Sequence, residues 1–158
     1  MPVVPTLITR EEIESAPKLL IEVIESPTLP KGQRYAINAG GAMNSRRSTQ
    51  DGCVYMGTAE YNEEAGKCLN DIIVPAEEAG MGTVHLLIQY KSERKGYFIK
   101  DCGQGTGTFV KIERPLALRH GFIISYGDSH MYVSFDSKDK LQLKYLDGPK
   151  SDQMLYGL

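Results

Sequence analysis

The feature that most constrains this chain is a dense series of short apolar segments, each closed by glycine, proline or a polar turn. Alternation is clearest late in the chain. Met131, Val133 and Phe135 fall on one side of an extended backbone while His130, Tyr132 and Ser134 fall on the other, and Leu141, Leu143 and Tyr145 repeat the pattern. Earlier segments of the same kind are Leu19-Leu20-Ile21-Glu22-Val23-Ile24, Tyr35-Ala36-Ile37, Cys53-Val54-Tyr55-Met56 and Asp71-Ile72-Ile73-Val74. Val84 to Tyr90 follows and returns, after a charged turn, in Tyr97-Phe98-Ile99-Lys100; Thr108-Phe109-Val110-Lys111 and Phe122-Ile123-Ile124-Ser125 complete the set. No long helical period lies between them. The pattern predicts an all-β fold, a β-sandwich of about ten strands. The single helical signal is Thr9 with Glu12 at capping-box spacing, which predicts a short helix over 9–15 that Pro17 ends.

With 158 residues the chain fits one domain with a substantial core. The expected layout is a lead-in segment over 1–17, a sandwich over 18–147 and a loosely held tail over 148–158. Eighteen basic against twenty acidic residues give a formal charge of −2, so no whole-domain basic field exists to attract nucleic acid. No apolar run approaches membrane-spanning length, and the start, Met1-Pro2-Val3-Val4-Pro5, lacks the pattern of a secretory signal. Cys53, Cys68 and Cys102 are odd in number and widely spaced, matching neither a disulfide framework nor a zinc half-site. The expectation is three reduced thiols in an intracellular protein, cytoplasmic or nuclear, without cofactor, metal or membrane insertion.

Two segments are too long for ordinary sandwich turns. Residues 38–52 are polar and glycine-rich around Ser45-Arg46-Arg47-Ser48, and residues 58–69 are acidic with Glu60, Glu63 and Glu64. For the arginine pair, a solvated loop outweighs a modification or partner-binding site. Gly103-Gln104-Gly105-Thr106-Gly107-Thr108 lacks the Gly-Lys-Ser/Thr ending of a phosphate loop and joins two strands, so it reads as a turn whose amides can still form a small anion nest.

The order of elements from Val54 to Phe135 resembles the forkhead-associated (FHA) family. The residues that carry the likeness are Met56-Gly57-Thr58, Asn70-Asp71-Ile72 and Gly82-Thr83-Val84-His85. Asp101 then precedes Gln104-Gly105-Thr106-Gly107-Thr108-Phe109-Val110, and the likeness closes in Leu118-Arg119-His120-Gly121-Phe122-Ile123-Ile124-Ser125-Tyr126-Gly127. The resemblance implies an eleven-stranded sandwich that grips phosphothreonine peptides with loops at one end. Its framework members are Gly57, Asn70, His85, Gly107 and Thr108, with the His85 ring tying binding-end loops together rather than catalysing.

Carried over position by position, the family's gripping residues fall on Thr58, Gly82, Thr83 and Thr106, and none of the four matches. Phosphate recognition relies on charge-assisted bonds, of which a bidentate arginine is the strongest. The threonines offer hydroxyls without positive charge, and Gly82 has no side chain. The expectation is a non-catalytic, FHA-type interaction or scaffolding module with a degenerate phosphopeptide pocket and a protein or phosphoprotein partner. The alternatives are a pocket rebuilt around Lys67 with Thr83, Gln104 and Thr106, or a regulatory domain of a larger signalling enzyme. An independent hydrolase or transferase has no nucleophile–base motif to support it.

Overall fold

The computed structural model describes residues 7–47, 50–135 and 141–147; the expected tail over 148–158 lies outside them. One short helix, α1 (Arg10–Ser15), opens the described chain, and the Thr9 hydroxyl oxygen accepts the Glu12 N–H at 3.3 Å. Ala16 is already extended and Pro17 follows, so the helix stops after six residues. The remaining regular structure is strand, apart from one 3-10 turn at Ser92–Arg94. The fold is all-β.

The chain forms two compact units, Met1–Phe109 and Val110–Leu158. The first holds two sheets. Strands β1 (Leu19–Glu22), β2 (Arg34–Asn38) and β3 (Gly41–Ala42) run antiparallel in the order β1-β2-β3. Strands β4 (Cys53–Gly57), β5 (Ile72–Ile73), β6 (Leu86–Lys91) and β7 (Gly96–Asp101) lie in the order β5-β4-β6-β7, with β5 parallel to β4. Ile37 from the first sheet and Val54, Ile72 and Ile88 from the second are buried together, and Leu19, Ile21, Tyr35, Met56 and Leu86 pack around them. Two sheets that share one core make a two-layer sandwich, in which each buried aliphatic side chain contributes about 1.5–3 kcal/mol.

The second unit is an antiparallel sheet of β8 (Ile123–Tyr126), β9 (Ser129–Phe135) and β10 (Leu141–Asp147), ordered β10-β9-β8. Tyr126 pairs with Ser129, so Gly127 and Asp128 form a two-residue turn, and the positive φ of Gly127 (52°) suits it. Val133, at the centre of the expected alternation, is fully buried.

Two expectations fail locally. The strand expected at 108–111 does not form, and Phe109 and Val110 are 68% and 69% exposed. Gly107 takes a left-handed φ of 98° and the Thr108 hydroxyl donates to Asp101, which bends the backbone away from a ladder despite its β-prone side chains. Arg46 is exposed, as a solvated loop implies, but Arg47 is not: its side chain is only 12% exposed and ties the segment after β3 to Asp51 and Asp71.

Candidate functional site

The residues of the sequence motif converge where β4 ends and the loops before β6 and after β7 meet it. Gly57 closes β4 and must be glycine, because a Cβ there would run into the Thr83 carbonyl and come within 2.9 Å of Val84 Cα. That close approach lets two strands of backbone pair beyond the sheet. Thr58 N–H donates to the Gly82 carbonyl at 3.0 Å, and Ala59 N–H to the Thr83 carbonyl at 3.1 Å. Asn70, 1% exposed, fastens the same place from below, its amide group donating to Ala59 O at 3.1 Å and Thr83 O at 2.8 Å. Among the described residues its Oδ1 has no hydrogen-bond partner.

His85 sits beneath these loops, 5% exposed. The Gly82 N–H donates to Nδ1 at 3.1 Å, which leaves the ring proton on Nε2, and Nε2 donates to the Gly107 carbonyl at 3.0 Å. One neutral ring therefore joins the loop before β6 to the loop after β7. The Asp101 carboxylate lies 4.0 Å from Nε2, beyond hydrogen-bond reach. Asp101 instead accepts the Thr108 hydroxyl at 2.7 Å and the Gly103 N–H at 2.7 Å, and those two bonds hold its carboxyl below the usual range. Among the described residues, both ring nitrogens of His85 are taken up by backbone of the two loops.

The outward positions spend their donors on one another. Thr58 Oγ1 donates to Gly82 O at 3.3 Å, Thr83 Oγ1 donates to Gln104 Oε1 at 2.9 Å, and Thr106 Oγ1 donates to Gly80 O at 3.3 Å. Thr106 N–H also goes to Gly80 O, and Val84 N–H to Gln104 Oε1. Gln104 fills space as well: a Cβ on Gly82 would meet the Gln104 side chain, with Oε1 2.8 Å away. Gly105 has φ +67°, and a Cβ there would press within 2.8 Å of His85 Nδ1. Lys67 lies in a tight turn, its backbone paired in both directions with Asn62, and is exposed.

Sequence reasoning missed a buried ionic cluster on the β4 flank. Arg47 Nε donates to Asp71 Oδ2 at 2.9 Å, its two terminal nitrogens grip Asp51 at 2.9 and 2.8 Å, and Nη2 also reaches the Cys53 carbonyl at 2.7 Å. Asp71, whose side chain is 3% exposed, further accepts Ser45 Oγ at 2.6 Å and Tyr55 N–H at 2.8 Å. Burial opposes the charge on Arg47, but the Asp51 and Asp71 contacts outweigh it and push its pKa up. Burial likewise works against ionised Asp51, and the Arg47 hydrogen bond overcomes it and lowers its pKa. The readable signal was the four-residue spacing of Arg47 and Asp51. Nothing local pointed to Asp71.

The FHA domain family model matches residues 66–127, a stretch that spans the loops before β6 and after β7. FHA domains are, in general, non-catalytic protein-interaction modules that bind phosphopeptides on partner proteins. The curated proteins contain no match to the chain, and the solved structures contain none. Among the described residues, no helix is long and apolar enough to cross a membrane, and no group of three or more His, Cys, Asp or Glu side chains is placed to hold a metal ion.

Proposed function

We propose that this chain is a protein-interaction module of FHA type whose phosphothreonine pocket is degenerate, so that it recruits or scaffolds its partner without reading phosphate at these loops. The observation that carries this reading is that no carried-over position supplies a cation and that their hydroxyls already donate to loop acceptors. The hydroxyls of Thr58, Thr83 and Thr106 all donate to loop acceptors, and Gln104 fills the space beside Gly82. A phosphate dianion brings about two negative charges and needs donors aimed at it, with a cation for preference.

None of the carried-over positions bears a cation: Lys67 sits in the exposed turn paired with Asn62, and the exposed Arg46 stacks over the Tyr61 ring, 5.6 Å from its centroid. His85 and Asn70 are framework residues in this account: they hold the loops and touch no ligand. The test is affinity capture with the full chain, before and after phosphatase treatment of the lysate. Partners retained equally in both are the expected result, and partners lost on dephosphorylation would overturn the reading.

A further inference from the structure

At the end of the first unit away from those loops, residues 8–17 cross from the turn between β2 and β3 to the second sheet. The register fixes which end this is. Strand β4 runs from Cys53, beside Gln89, to Gly57 at the loops, whereas the segment meets Gly52, Tyr90 and Tyr97. Two isoleucines seat it. Ile13 Cδ1 stands 2.9 Å from where a Cβ on Gly40 would lie, and Ile8 Cγ1 stands 3.2 Å from where one on Gly52 would lie. Both glycines are buried, and at Gly52 a φ of 75° is a second reason for the residue. Their bare backbone makes the room that the two side chains occupy.

Two polar contacts complete the seat. The Tyr97 hydroxyl donates to the Pro17 carbonyl at 2.6 Å. Tyr90, 4% exposed, faces the Glu12 carboxylate, and burial together with that carboxylate raises its pKa. The two tyrosine rings pack edge to face with centroids 5.2 Å apart, so both contacts stand on one aromatic pair. The segment itself is lightly held. No residue of α1 is fully buried, and six residues are too few to keep a helix without tertiary support. Its described fastenings to the sheets are at Ile8, Glu12, Ile13 and Pro17. A piece fastened so sparsely opens at a lower free energy than the sheets beneath it.

We propose that this seat is a docking site for a partner segment, and that residues 8–17 fill it as the chain's own competitor. The occupant is a short segment with two aliphatic side chains five positions apart and a carboxylate just before the second, the pattern that the glycines and Tyr90 accept in Ile8, Glu12 and Ile13. It enters when residues 8–17 lift off, which makes that segment autoinhibitory. The proposal stands whether or not the loops read phosphate.

Hydrogen exchange of the full parent chain tests the lifting. The Ile13 and Ala16 amides, bonded within the helical turn, should exchange at least about 100-fold faster, relative to their intrinsic rates, than the paired Val54 and Ile88 amides of the second sheet. Equal protection would mean that the segment leaves only when the sandwich unfolds, and would overturn the proposal. Docking is read by anisotropy with a fluorescein-labelled peptide of residues 7–17. The full chain carrying Ile13→Asp, or Ile13→Ala if the aspartate disturbs the far-ultraviolet spectrum, should bind it saturably and at least about tenfold more tightly than the parent, whose seat is filled. A peptide carrying Ile8→Ser and Ile13→Ser should not bind, and Gly40→Val added to the unlatched chain should abolish binding. Equal binding by parent and variant, no binding by the variant, binding of the doubly substituted peptide, or indifference to Gly40→Val would each overturn the proposal. Displacement of the probe by a phosphothreonine peptide would locate it at the loops and overturn it too. A parent dimer that Ile13→Asp splits would give the seat to a second copy, with the same consequence.

Discussion

Replacing Arg47 by methionine keeps much of the side-chain volume and removes the charge from a cluster that is largely out of water. Four hydrogen bonds go with it: two to Asp51, one to Asp71 and one to the Cys53 carbonyl. Removing one partner of a buried pair costs about 3–5 kcal/mol, because the remaining charge stays desolvated. Asp51 is 26% exposed and regains water, and Asp71 keeps Ser45 Oγ and the Tyr55 N–H. The loss therefore belongs at the low end, about 3 kcal/mol. For a chain of this size that lowers the melting midpoint by roughly 6–12 °C, readable by circular dichroism or a urea titration. Adding Asp71→Asn should cost less than the sum of the two single changes, with a coupling on the order of 1–3 kcal/mol. A midpoint within about 2 °C of the parent, or strict additivity, would refute the claim that this pair clamps the segment before β4 to the sheet.

His85→Ala removes the acceptor of Gly82 N–H and the donor to Gly107 O, and should lower stability by about 1–3 kcal/mol in the same assay without altering any chemical activity. Gly57→Ala should destabilise by more than about 2 kcal/mol, because the new methyl meets backbone at Thr83 and Val84 and no flexible side chain can yield. Asp51 and Asp101 both have folded-state pKa values below the ordinary 3.8. Their contribution is present above that value and is lost as pH falls through the depressed ones. Stability should therefore decline below about pH 4, and Arg47→Met should flatten the part of that decline due to Asp51.

The all-β class was legible because period-2 alternation and turn residues are local signals; β6 buries Ile88 and Tyr90 two apart, and β9 buries Val133. The helix cap at Thr9 was legible for the same reason. Residues 108–111 were not, since β propensity says nothing of whether a pairing partner is near. Arg47 escaped because its burial depends on Asp71, twenty-four positions away, and two adjacent arginines in a glycine-rich stretch look solvated. The hydrogen bonds of the Thr58, Thr83 and Thr106 hydroxyls were not legible, because the acceptors are carbonyls and an amide brought in from other loops.

The central claim is that these loops do not read phosphate. It is tested most directly by calorimetric titration of the full chain with a degenerate threonine peptide library and its phosphothreonine counterpart. Hydrogen bonds to charged groups contribute about 1.5–3 kcal/mol each, so the loss of two weakens binding by about 3–6 kcal/mol, or roughly 100-fold to 10,000-fold. The account predicts no measurable preference for the phosphorylated library. A reproducible micromolar affinity that requires phosphate, and that Lys67→Ala or Thr106→Ala abolishes, would contradict it.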